Sequence, residues 1–373
     1  MSVYRYGSFP LLRAPRYSLH TLTPSLQWLG LILIAGAVGQ LLKYWQIPAA
    51  LFLGPMLVAI GFGVSGASIR MPRIAFQLGQ GTVGVLVAHS MTMAVLMTAM
   101  QSWYVMLFAT VLTVLLSAVV GLALVRYAGI AGSTAAWGTS PGAASAMVAM
   151  SEDYGADSRV VATMQYVRVV CVVMIGALVS RLIGVEGGGT QAHAREVAVE
   201  GLNLLNFALS LGVIALGIFV AQRIPAGALM GPLLIGGALQ LSGLLQITLP
   251  AWMLALAYGA IGSYVGLRFD RPTIAYVWRR LPAMILGSLL LILLCALSAW
   301  LIAVMLGKDF LSVYLATSPG GLDAMAIIAI DTHSDVGFVL AMQTLRLIGV
   351  ILTGAFLARQ IIRLTAPKPV HVH

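Results

Sequence analysis

The sequence predicts an all-α polytopic membrane protein made of two inverted repeats, each of about five transmembrane helices plus one re-entrant or broken helix. Three observations predict it. Hydrophobic types make up 60% of the 373 residues and charged types only 9%, where a soluble domain carries roughly 25% charge. The apolar residues gather into runs of membrane-crossing length. The second half of the chain also repeats the first at a constant offset.

Taken in order, twelve apolar runs cover 26–42, 48–66, 74–97, 103–126, 131–151, 158–183, 200–222, 225–246, 250–268, 281–306, 310–331 and 335–363. A helix crossing ~30 Å of hydrocarbon needs about 20 residues, and most runs reach that. Those at 131–151 and 310–331 are interrupted by Thr-Ser-Pro-Gly and are expected to enter and leave the bilayer on one face. Residues 1–25 form a basic N-terminal segment with Arg5, Arg13 and Arg16, and 364–373 a short tail. A cleaved secretory leader is not expected, because the first apolar run belongs to a polytopic series.

Residues 139–168 align with 317–346 at an offset of 178, with 12 identities in 30 positions, and 48–57 align with 225–234 at an offset of 177. The first repeat is therefore read as 26–183 and the second as 200–363. Between them lies the polar linker 184–199.

Loop charges set the orientation, since cytoplasmic loops collect Lys and Arg. Twelve full spans would leave 12 Lys/Arg inside and 7 outside. With both interrupted runs re-entrant, the count becomes 15 inside and 4 outside, with Arg168 and Arg346 within the membrane. Five spans per repeat invert the second copy, a common build for secondary transporters with a site at the repeat interface. Both termini are expected in the cytoplasm and the protein in a bacterial inner membrane.

The net charge of +10 does not imply nucleic-acid binding, because the charges lie between apolar runs and not along one helix face. Cys171 and Cys295 both lie in apolar runs, which gives neither a disulfide framework nor a thiolate metal site. The six histidines are scattered. No metal, no cofactor and no enzymatic activity are expected.

The residues expected to carry function lie in the duplicated blocks. Ser140 and Ser318 read as helix N-caps, with Pro141 and Pro319 at the first helical position and Gly142 and Gly320 next. A helix starting inside a membrane aims free N–H groups at a cavity and favours negative charge there. Gln165 and Arg168, like Gln343 and Arg346, lie three apart on one helix face. Arg168 is 11 residues past Asp157, about 16 Å along a helix and half the hydrocarbon depth. An arginine there needs a partner, a water-filled cavity or a substrate, and a structural contact to backbone carbonyls is the competing role. Thr139, Ser140, Gly142, Gln165, Arg168, Thr317, Ser318, Gly320, Gln343 and Arg346 form the expected substrate site.

Asp323 stands where the first repeat has Ser145. It is expected to cap its own helix, to pair with Arg346, or to bind a coupling H⁺ or Na⁺. Asp157 and Asp335 read as N-caps of the helices that follow. The pairs Gly54-Pro55 and Gly231-Pro232 should kink or unwind their helices and expose carbonyls. Glycines at 79, 81, 84, 262 and 266 let helices approach closely.

On the duplicated unit and the paired TSPG…Gln-x-x-Arg blocks, the chain resembles the membrane AbrB family over about residues 26–363. That family is sometimes labelled as ammonia monooxygenases. The resemblance implies a bacterial inner-membrane protein with a tandem duplicated domain and a link, by name, to regulation of gene expression. It brings no catalytic residues with it.

The function expected from the residues is secondary transport, by alternating access, of a small anionic or zwitterionic solute of carboxylate type, coupled to H⁺ or Na⁺. The alternative is a non-transporting membrane sensor that binds a ligand in the same cavity, and behind it a membrane monooxygenase. The expected partners are the solute, the lipid bilayer and a second copy of the chain as a homodimer, with no nucleic acid.

Overall fold

The computed structural model describes residues 19–89, 103–184, 203–223 and 226–365, together with Met93 and Met97. Among them there is a 3-10 turn at Leu19–Thr21, fifteen α-helices and no strand. The first seven helices are α1 (Pro24–Tyr44), α2 (Ala50–Val64), α3 (Arg73–His89), α4 (Trp103–Ala128), α5 (Gly132–Thr139), α6 (Ala144–Asp153) and α7 (Ser158–Leu182). Then come α8 (Leu204–Val220), α9 (Gly227–Leu241), α10 (Ala251–Gly266), α11 (Arg271–Val277), α12 (Leu281–Leu306), α13 (Phe310–Thr317), α14 (Leu322–Asp331) and α15 (Val336–Thr365).

Helix starts recur along the chain. Ala50 and Gly227, Arg73 and Ala251, Trp103 and Leu281, Gly132 and Phe310, Ala144 and Leu322, and Ser158 and Val336 each open a helix 177 or 178 residues apart. The preceding Ala49 and Ala226 share left-handed backbone, both at φ 56°, a conformation uncommon outside glycine. Of residues 93–99, which the offset relates to α11, only Met93 and Met97 are described; α11 itself lies between α10 and α12. The sequence reads there as a charged loop, but Asp270 caps the helix by accepting from the Thr273 backbone N–H at 3.0 Å.

Packing exchanges helices between the halves, with α2 lying on α10 and α9 on α3. Glycines permit the close approach. A methyl group added at Gly84 would overlap the carbonyl oxygen of Leu229, and one at Gly262 that of Phe52. The Gly-Pro pairs do the same within each half and do not unwind their helices. Pro55 and Pro232 lie inside continuous helices, where Gly54 meets the backbone of Gly39 and Gly231 that of Gly217.

The core runs through these crossings and into α13 and α14, with Phe52, Met56, Leu229, Tyr258 and Ile327 buried. The outer faces are apolar as well. Ile32 and Leu33 of α1 are exposed, as are Leu286, Leu293, Trp300 and Val304 of α12. Apolar surface on that scale is covered by another apolar phase. Among the described residues, four helices, α1, α4, α7 and α12, are long and apolar enough to cross a membrane.

The two interrupted runs each fold as a broken pair, α5–α6 and α13–α14. The first members are eight residues long and the second ten, about 12 and 15 Å, so each covers only part of a ~30 Å core. Each pair ends beside its own beginning. The Asp157 backbone N–H, just after α6, donates to Oγ1 of Thr134 in α5 at 3.1 Å. In the second copy the Asp335 N–H donates to Oγ of Ser312 in α13 at 2.9 Å. Asp157 and Asp335 cap α7 and α15, accepting from the N–H groups of Arg159 and Phe338.

Candidate functional site

The breaks are built differently from the sequence expectation. Ser140 and Ser318 close the preceding short helices at ψ 126° and 135° and do not open the following ones. A residue before proline is pushed out of the helical region, and both serines precede one. The second helices begin three residues after each proline, at Ala144 and Leu322.

A helix ending inside a membrane leaves up to four carbonyls without partners and no water to take them. The Gln-x-x-Arg pairs satisfy these carbonyls. Nε2 of Gln165 donates to the carbonyls of Trp137 (2.8 Å), Gly138 (3.3 Å) and Ser140 (3.0 Å). Nη1 of Arg168 donates to Thr139 O (3.3 Å) and Ser140 O (2.8 Å), and Nη2 to Oε1 of Gln165 (2.7 Å). The second copy matches. Gln343 donates to Leu315 O (2.8 Å) and Ser318 O (3.1 Å). Arg346 donates to Ser318 O, Gly320 O and Oε1 of Gln343. Each arginine thus sits at the negative end of a helix dipole, which favours its charge.

These bonds leave the guanidinium charges without a carboxylate partner among the described residues. The Nε atoms of Arg168 and Arg346 are buried and make no hydrogen bond. Both arginines line one cavity of about 700 Å³, within the usual ~300–1,000 Å³ of small-molecule sites. Both breaks reach it, through Pro141, Gly142 and Ala143 and through Gly320, Gly321 and Leu322. Each turn glycine packs against the other half: a methyl at Gly142 would come 3.2 Å from Val350 in α15, and one at Gly320 would come 3.0 Å from Val172 in α7.

Gly142, Arg168, Gly320, Gln343, Arg346 and Asp323, all named from the sequence, line this one space. Thr139, Ser140, Gln165, Thr317 and Ser318 lie behind it. Thr139 and Thr317 hydroxyls donate to Ala135 O and Val313 O within their own helices, the Ser140 hydroxyl donates to Ala136 O, and Ser318 is fully buried. Asp323 neither pairs with Arg346 nor closes its own helix with a side-chain bond. It accepts from Nε2 of Gln80 in α3 at 3.0 and 2.9 Å.

Several lining residues lie outside the sequence expectation. Gln77 and Gln80 of α3, Tyr166, Tyr264, and the arginines Arg73, Arg223 and Arg268 all face the cavity. Those three arginines are exposed, whereas Arg168 and Arg346 are 3% and 4% exposed, so they form a mouth above a buried floor. Arg268 lies 4.5 Å from the Tyr264 ring centroid and 5.7 Å from that of Tyr166, and Phe76 stacks on Tyr264 at 3.9 Å. Gln77 and Gln80 carry the signal already used for Gln165 and Arg168: two polar side chains three apart in an apolar run.

His89 ends α3 and His333 lies in a turn with φ 52°; neither lines the cavity. His371 and His373 lie outside the described residues, as does the linker 184–199 apart from Gly184 at its start.

A family model described as "Transition state regulatory protein AbrB" matches residues 51–362. The chain is 41% identical over 351 residues, 92% of its length and 99% of the relative's, to the AbrB protein of Escherichia coli (strain K12), named as a conjectured regulator. It is 27% identical over 343 residues, 86% of its length and 89% of the relative's, to the uncharacterised protein YhjN of Bacillus subtilis (strain 168). No solved structure matches the chain.

Proposed function

The chain belongs to the AbrB family, and we propose that it is a secondary transporter for a small anionic or zwitterionic solute. It is not an enzyme in this reading, and it works by alternating access in a bacterial inner membrane. The observation that carries the proposal is the meeting of both helix breaks and both buried arginines in one cavity between the halves.

Positive charge without a carboxylate partner, together with two helix N-termini, makes a floor that attracts an anion. Asp323 is the group that takes a cationic partner there, whether a coupling H⁺ or Na⁺ or a positive group of the solute itself.

Three contacts support the inverted, re-entrant arrangement. The Thr134–Asp157 and Ser312–Asp335 bonds close each broken pair on itself. Arg70, before α3, pairs with Asp270, before α11, at 2.7 Å, whereas twelve full spans would send those loops to opposite faces. With the loop-charge orientation, Arg73, Arg223 and Arg268 face the cytoplasm, and the cavity opens inward.

The test is a thermal-shift screen of the purified chain in detergent with small carboxylates, amino acids and phosphate, with and without Na⁺ and at two pH values. It is repeated on Arg168→Ala and Arg346→Ala. A selective shift lost in both variants supports the anion site and names a solute for liposome uptake. Shifts indifferent to both arginines would remove it. Binding without flux in liposomes would assign the cavity to sensing.

A further inference from the structure

The two helix N-termini that meet in the cavity are not equivalent. The first turn of α14 carries its own carboxylate, Asp323, whereas the first turn of α6 carries no acidic residue. The difference extends to the facing helix. Asp323 is held by Gln80 of α3. At the repeat-related positions the first half has Ser145 for Asp323, and the second has Tyr258 for Gln80. The carboxylate and the amide that holds it thus occur together in one of the two repeat-related places only.

The electrostatics follow from this placement. The α14 N-terminus already has a negative group in its own first turn. At α6 the N-terminus at Ala143 and Ala144 faces the cavity beside Arg168, which is 3% exposed and whose Nε has no hydrogen-bond partner. The cavity therefore holds guanidinium charge without a carboxylate partner near the α6 N-terminus and, elsewhere on its wall, a carboxylate held by a neutral amide. A ligand that is all anion fits the first and is repelled by the second. A ligand with a carboxylate and an ammonium fits both.

We propose that the solute is an α-amino-acid-type zwitterion, bound with its carboxylate at the α6 N-terminus beside Arg168 and its ammonium at Asp323. This rests on the transport-site reading above and narrows it: the cation that Asp323 takes belongs to the solute, and binding needs no Na⁺. Gln80 is a positioning residue that holds the Asp323 carboxylate toward the cavity.

The experiment uses the full chain in detergent and the twenty L-amino acids as probes, measured by thermal shift and titration without Na⁺. Each is paired with its 2-hydroxy acid, which keeps the carboxylate and lacks the ammonium, and with its amide, which does the reverse. At least one amino acid is expected to bind tenfold or more tighter than both of its partners. Asp323→Asn should remove that preference, weakening the amino acid tenfold or more and strengthening binding of its hydroxy acid. Asp323→Ser, which restores the residue of the first half, serves the same purpose if the asparagine variant misfolds. Hydroxy acids or dicarboxylates binding as well as amino acids, with no effect of either variant, would overturn the zwitterion and leave the anion site standing. Failure of every carboxylate to bind would overturn both.

Discussion

Arg70 and Asp270 join loops 200 residues apart in an ion pair of 2.7 Å, with Arg70 also donating to Leu267 O at 3.2 Å. The pair is half-exposed on the arginine side, and such pairs contribute only about 0–1 kcal/mol. Its value is topological. Single cysteines replacing Arg70 and Asp270 should label with an impermeant maleimide from the same side of oriented vesicles. Labelling from opposite sides would end the inverted arrangement.

The helix crossings predict a second result. Gly84→Ala and Gly262→Ala each place a methyl on a facing carbonyl oxygen, whereas Gly36 and Gly61 have nothing within 4 Å. Overpacking of this kind costs about 1–3 kcal/mol. The first two variants should lower the melting temperature in detergent by several degrees, and Gly36→Ala and Gly61→Ala should leave it unchanged. Equal behaviour of all four would mean that the crossings are looser than described.

A third prediction concerns the carbonyl clamps. Arg168→Lys keeps the charge but loses the fork that reaches Ser140 O and Gln165 together. Each buried group left unpaired costs about 1–3 kcal/mol. The variant should melt lower than the wild type without ligand and bind carboxylates at least tenfold more weakly. A lysine variant with wild-type stability would show that charge alone holds the break.

The mouth arginines predict a salt effect. Replacing Arg73, Arg223 and Arg268 together by glutamine should slow anion entry several-fold at low ionic strength, because focused charge raises on-rates. The difference should shrink at high salt, where the Debye length falls to about 3 Å. A rate defect that persists in 1 M salt would give these arginines a contact role.

Much of this was legible in the residues. Helices with no polar competitor start within a few residues of the apolar runs, and the two broken runs announce themselves by Ser-Pro-Gly. The convergence of Arg168, Arg346 and Asp323 followed from the duplicated spacing. Other features depend on partners far along the chain. Arg73, Arg223 and Arg268 look like ordinary loop charges until α3, α8 and α10 bring them to one mouth. The serines look like N-caps because their residue type suits a helix start, but the proline after each sets their backbone. Gly54-Pro55 reads as a hinge only while Gly39 is out of view. The carbonyl-bound role of the two arginines was present as an alternative in the sequence, and geometry shows that it coexists with a cavity-lining position.

The exchange of helices has a consequence for biogenesis. When the first half leaves the ribosome, the faces of α2 and α3 that carry Phe52 and Gly84 still lack the second-half helices on which they pack. Their complements, α10 and α9, are synthesised well over a hundred residues later. Most multidomain chains mature one unit at a time, but here the first half is expected to wait, incompletely packed, for the second. The two halves are therefore expected to act as each other's assembly factor, and neither is expected to become a stable protein alone.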